Sequence, residues 1–204
     1  IRAIFAHTGD PANMSDQPNS KRVFEANSLM LLKMIKSFNY GMDFAGRPFK
    51  IEPKQIFPFA VVNAYAKNFG SLEKKMHLKI QNGAVGVITQ PVFDIENVKK
   101  LLENFENAKE NVEGDKKKAQ LIFGVFPITK LRTALFLSAQ VPGIHVPQFW
   151  IDELEKAHNI SEEEEYKVGM QLSKNLFDEI NRIHPKIHLM TANNKFEVAS
   201  EILA

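Results

Sequence analysis

Four short polar clusters in this chain combine residue types that can do chemistry. They are His7-Thr8-Gly9-Asp10-Pro11, Asn63-Ala64-Tyr65, Thr89-Gln90 and Met190-Thr191-Ala192-Asn193. Asp10 is an acceptor with a negative charge, and Gly9 beside it lets a backbone approach a ligand closely. Tyr65 offers an aromatic face and a hydroxyl, and the Gln90 amide can donate and accept at once. Lys79 stands a helix away and can reach a phosphate. Each has a plainer reading. Asp10 before Pro11 also makes a turn, Tyr65 also serves as a core aromatic, and Gln90 also satisfies loop backbone groups. Position alone leaves both readings open.

The elements that would carry these clusters are legible. Five short apolar runs read as strands: Ile1–Ala6, Ile56–Ala64, Ala84–Gln90, Leu121–Ile128 and Lys186–Thr191. At least one helical pattern separates each from the next, which implies parallel strands with right-handed crossovers. In such sheets ligands bind at the C-terminal strand ends, and each polar cluster falls at one. Val85, Val87 and Ile88 suit a strand buried on both faces. Pro91 should stop that strand, and Asp94 should cap a helix from near Ile95. Leu29, Leu32, Ile35 and Phe38 form one helical stripe ahead of Gly41. Further helices begin at Leu72 and Leu131. Ser161-Glu162-Glu163-Glu164 signals another helix start, and a last helix covers Phe196 to Leu203. Gly41–Lys54 and Glu106–Lys118 read as long polar connections, the second mobile.

Composition narrows the function. The 204 residues carry a formal net charge of +2, with 44% hydrophobic and 25% charged residues. That is enough chain for a single domain with a core, and it gives little support to a nucleic-acid partner. Cysteine is absent, which excludes disulfides and Cys-ligated metals. This fits a cytoplasmic protein. No apolar run approaches the ~18 residues of a membrane span. The six His residues form no ligand cluster. His184 and His188 have helical spacing, but Pro185 opposes a helix there, so no metal site is expected. Ile1 opens directly on a strand, which leads us to expect an N-terminal part beyond this chain. Five β/α units suit either a small open sheet or five-eighths of a (β/α)8 barrel, whose full form typically needs ~250 residues.

An ordered set of segments covers nearly the whole chain. It runs Thr8-Gly9-Asp10-Pro11, Asn27-Ser28-Leu29, Gly46-Arg47-Pro48, Lys79-Ile80-Gln81-Asn82-Gly83-Ala84 and Ile88-Thr89-Gln90-Pro91-Val92-Phe93-Asp94. It continues through Gly124-Val125-Phe126-Pro127-Ile128, Val141-Pro142-Gly143-Ile144-His145-Val146-Pro147 and Ile187-His188-Leu189-Met190-Thr191. In this order the set resembles the methylenetetrahydrofolate reductase family.

The resemblance implies an α/β chain that is the C-terminal portion, strands four to eight, of an FAD-binding (β/α)8 TIM barrel. By that likeness residues 1–204 are one domain of a homo-oligomeric flavoenzyme. It would pass a hydride from NAD(P)H through FAD to methylenetetrahydrofolate, supplying methyl groups for methionine synthesis. Asp10 would be the catalytic carboxylate near the flavin. Thr8, Gly9, Asp10, Ala26, Asn27, Asn63, Ala64, Tyr65, Lys79 and Ile88 would bind the cofactor, and Gln90 and Met190 the folate. The family's glutamate general acid would lie on an absent strand. Leu78, Thr133, Leu137 and Asn194 depart from the family pattern at the phosphate and folate positions. The alternative is a catalytically silent α/β binding or assembly module without cofactor.

Overall fold

A computed structural model of the chain describes residues 1–8, 26–110, 112, 114, 118–192 and 195–204. The elements run β1 (Ala3–Ala6), α1 (Ser28–Asn39), β2 (Phe57–Val62), α2 (Phe69–Gln81), β3 (Gly86–Pro91) and α3 (Ile95–Glu110). They continue with β4 (Gln120–Val125), α4 (Leu131–Gln140), α5 (Gln148–His158), α6 (Glu162–Ile183), β5 (Ile187–Leu189) and α7 (Phe196–Leu203). The strands make one sheet in the order β1-β2-β3-β4-β5. The β1–β2 and β4–β5 pairs are parallel, with Phe5 opposite Phe59 and Gly124 opposite His188. This is the α/β architecture that the alternating pattern implies. Among the described residues no helix is long and apolar enough to cross a membrane.

The chain divides into two compact units. The first comprises Ile1–Val61, Lys74–Val87 and Ala108–Gln120. Here α1 lays Leu32 against Ala6, Ala60 and Ala84, with Leu31 alongside. Small residues on the strands let the helix approach, and Leu32 is fully buried. Asn39 ties the end of α1 to the start of β2. Its Nδ2 donates to the Ile56 carbonyl at 2.8 Å and its Oδ1 accepts from the Ile56 N–H at 2.9 Å. One face of β1 and β2 stays half-open. Phe5 and Phe59 stack at 5.4 Å, and Phe5 and Phe57 are about half exposed.

The second unit comprises Val62–Glu73, Ile88–Asn107 and Leu121–Ala204. The Thr89 hydroxyl, buried, accepts from the Gly124 N–H at 2.9 Å. Gly124 must be small: a Cβ there would lie 2.6 Å from the Thr89 carbonyl oxygen and 2.8 Å from Met190 Cε. Trp150 on α5 is buried edge-on to Phe93, with its indole N–H donating to the Phe93 carbonyl at 3.2 Å. Glu165 on α6 is also buried. Its Oε1 accepts from the Leu131 N–H at 2.7 Å and its Oε2 lies 3.3 Å from His158 Nδ1. A carboxylate thus satisfies an orphan amide at the positive end of α4, where Lys130 gives no side-chain cap. Ser173 does the same for Ile128, accepting its N–H at 3.0 Å.

Three segments differ from the sequence expectation. Glu106–Lys118 is not simply a loop, because α3 continues to Glu110 with Phe105 and Ala108 buried at helical spacing. Helix α5 lies where the sequence reading assigned no element; Trp150, Leu154 and Ala157 form its buried stripe. Pro91 ends β3 from within the strand rather than after it.

Candidate functional site

The sequence-predicted residues fall into one group in each unit. In the first unit, Thr8 follows β1, and Ala26 and Asn27 lead into α1; all three are exposed. Asn27 is the N-cap of α1. Its backbone is extended, and its Oδ1 accepts from the Met30 N–H at 3.0 Å. The Thr8 hydroxyl accepts from the Ser28 N–H at 3.1 Å. Two loop side chains therefore organise the first turn of α1, which holds no acidic residue.

Lys79 reaches this same turn. It stands in the last turn of α2, and side chains lean toward a helix's N-terminus. Its Nζ donates to the Val61 carbonyl at 2.8 Å and lies 3.4 Å from Ser28 Oγ. Burial, with the nearby charge of Lys75 second, holds its pKa below the ordinary lysine value. Neither acceptor carries a charge. Among the described residues, the half-buried ammonium thus sits beside the positive end of a helix with neutral oxygens as its acceptors. Two positive centres that converge in this way favour an anion between or beside them.

In the second unit, the end of β2 is pinned to the start of α3. The Tyr65 hydroxyl donates to Asp94 Oδ2 at 3.1 Å and accepts from the Phe93 N–H at 2.7 Å. Burial first, and the Asp94 carboxylate after it, push the phenol well above its usual range. Asp94 Oδ1 caps α3 by accepting from the Asn97 N–H at 2.7 Å, as the sequence implied. Asn97 Nδ2 donates to the Ala64 carbonyl at 2.9 Å. The Tyr65 hydroxyl is therefore fully used within the fold, and its free feature is the ring, which meets His145 edge-on at 5.5 Å.

Gln90 lies on β3, half-buried, and its Nε2 donates to the Pro142 carbonyl at 3.3 Å. Its Oε1 is buried without a hydrogen-bond partner. Ile88 is buried on the same strand. Asn63 is exposed just past β2. Met190, just past β5, packs on Gly124, and its N–H donates to the Val125 carbonyl at 2.9 Å. Leu137 is buried and Thr133 half-buried on α4, whereas Leu78 is largely exposed.

Gly9 and Asp10 lie outside the described residues, as does Asn194. Sequence reasoning missed Gly143, Pro142 and His145 as site residues, because the Val141–Val146 loop meets Gln90, Asn63 and Tyr65 across large sequence separations. The Pro-Gly pair marked a turn without showing where it docks. Among the described residues no group of three or more His, Asp or Glu is placed to hold a metal ion.

Residues 1–204 match the family model described as methylenetetrahydrofolate reductase. No curated protein matches the chain. Among solved structures the chain is similar to an uncharacterized protein from Clostridium thermocellum, described as binding two copies of 5-methyl-5,6,7,8-tetrahydrofolic acid. The TM-score is 0.53 at 20% identity, covering 73% of this chain and 52% of that one. The likeness is one of fold, and this chain spans about half of that structure's length.

Proposed function

We propose that this chain, which belongs to the methylenetetrahydrofolate reductase family, is part of a flavoenzyme that reduces 5,10-methylenetetrahydrofolate to 5-methyltetrahydrofolate with NAD(P)H. The observation that carries this reading is the Lys79 ammonium beside the first turn of α1. FAD is a dinucleotide with a pyrophosphate, and a cation next to the positive end of a helix suits that group. When bound, FAD supplies hydride transfer between the nicotinamide and the folate.

The chain's own residues do the rest. Lys79 and the α1 terminus hold the phosphate, and Thr8 and Asn27 shape the turn that presents it. By the resemblance, Asp10 would supply the negative charge that tunes the flavin, and Gly9 and Ala26 are likewise assigned to the cofactor. In the second unit, Asn63, Ala64, the ring of Tyr65 and Ile88 are the residues that the resemblance assigns to the cofactor. Gln90 orients the folate, with Met190 supplying apolar contact. The structural neighbour is described as binding 5-methyl-5,6,7,8-tetrahydrofolic acid, the product of this reaction.

The barrel assignment belongs to the same reading. Strand order follows chain order without the reversal of a doubly wound sheet. The half-open aromatic face of β1 and β2 suits closure by further strands or by a second copy. Titration of the purified protein with FAD, against a Lys79→Met variant, tests the phosphate role. Unchanged affinity in a folded variant sinks it.

A further inference from the structure

The Val141–Val146 loop, so far without a role, is built onto the Gln90 amide. Gly143 has φ of +81°, and an ideal Cβ on it would lie 2.7 Å from Gln90 Oε1 and 3.3 Å from Asn63 Nδ2. The neighbouring Pro142 carbonyl accepts from Gln90 Nε2 at 3.3 Å. Two successive loop residues therefore hold both ends of one amide. Pro142 binds its nitrogen, and the bare Cα of Gly143 closes over its oxygen, which is sealed without a partner. The orientation is fixed by chemistry as well as space. Exchanging nitrogen and oxygen would set two acceptor oxygens against each other at the Pro142 contact. The loop is itself anchored, since His145 meets the Tyr65 ring and Tyr65 is bonded to Asp94 and Phe93.

We propose that Gly143 is the positioning residue for Gln90: only a residue without a side chain lets the loop hold the amide so that its second Nε2 hydrogen is left to meet a reduced folate. This rests on the assignment of Gln90 to the folate above. Any L-residue at 143 meets two obstacles, the left-handed backbone and the Gln90 oxygen. The second is specific, because the displaced atom belongs to the ligand-orienting side chain. Asn63 is crowded by the same Cβ, so the effect reaches the end of β2 as well.

A double-mutant cycle separates these effects. Gly143→Ala, Gln90→Ala and the double variant are compared by urea midpoint and by the dissociation constant for 5-methyltetrahydrofolate. The expected result is coupling in both readouts. Gly143→Ala weakens folate binding about tenfold when Gln90 is present, and less than about twofold once Gln90 is Ala. Its destabilisation also shrinks in the Gln90→Ala background. Should Gly143→Ala not fold, Gly143→Asn tolerates the positive φ while still adding a Cβ. Strict additivity in the urea midpoints overturns the inference, since it leaves backbone strain as the whole effect. A different failure is visible separately. If Gln90→Ala leaves folate affinity unchanged while stability stays coupled, the folate assignment of Gln90 falls and Gly143 has no positioning role in binding.

Discussion

Replacing Lys79 by Met should weaken FAD binding while leaving riboflavin binding unchanged. Met keeps most of the side-chain length and removes the ammonium. At about 5 Å and an effective dielectric near 20, an ammonium and a phosphate charge attract by roughly 3 kcal/mol. Lys79 is only half-buried, and solvent screening leaves about half of that, ~1.5 kcal/mol, or about tenfold in Kd. Riboflavin has the same ring and no phosphate, so a charge effect leaves it untouched. Lys79→Arg should restore part of the affinity, because a cation returns with a different reach. The pH dependence carries its own sign. Burial lowers the pKa of Lys79, and a bound phosphate favours the charged form. FAD affinity is therefore full below that lowered pKa and declines as pH rises through it. The Lys79→Met profile should be flat over the same window. Titration followed by flavin fluorescence reads all three proteins. Equal loss of FAD and riboflavin affinity would refute the reasoning, as would no loss of either.

Tyr65→Phe should destabilise the protein by about 1–3 kcal/mol, because the Phe93 N–H and the Asp94 oxygen lose their partner. In the wild type the unfolded phenol ionises near pH 10 while the folded one keeps its proton. Stability should therefore fall as pH rises above about 10, and this loss should be smaller in the variant; urea midpoints across that range check both. Glu165→Ala should cost about 1–3 kcal/mol by orphaning the Leu131 amide, with weakened hydrogen-exchange protection confined to the first turn of α4. Asp10→Asn should raise the flavin reduction potential by at most about 60 mV, since ~3 kcal/mol of charge interaction converts at ~30 mV per 1.4 kcal/mol. An unchanged potential would place that carboxylate away from the ring.

Local rules carried the fold a long way. Val87 and Ile88 became part of β3, buried along nearly its whole length, whereas Val85 lies just before the strand and is exposed rather than buried as expected. Asp94 and Ser161 both cap the helices that they were expected to start. What escaped was either non-local or masked by polarity. Helix α3 runs on through charged residues because Phe105 and Ala108 keep its buried stripe going. Helix α5 sits between Pro147 and Asn159, and its signal was a short stripe of Trp150, Leu154 and Ala157. In the candidate site, residue types pointed to Lys79 and Gln90, while their partners were invisible. Nothing in the sequence around Lys79 shows that Val61 and Ser28 lie within its reach. Nothing around Gln90 shows a loop fifty residues on that closes over its oxygen. Tyr65 shows the converse: its hydroxyl looked free for a ligand, yet packing commits it to the β3–α3 junction.

The most direct test of the central claim is anaerobic NAD(P)H oxidation by the purified protein that carries this chain, loaded with FAD and supplied with 5,10-methylenetetrahydrofolate. The account predicts oxidation that requires both FAD and the folate, with 5-methyltetrahydrofolate formed in equal amount to the NAD(P)H consumed. Protein that binds FAD and the folate, yet forms no 5-methyltetrahydrofolate, would contradict it and leave a folate-binding module in place of a reductase.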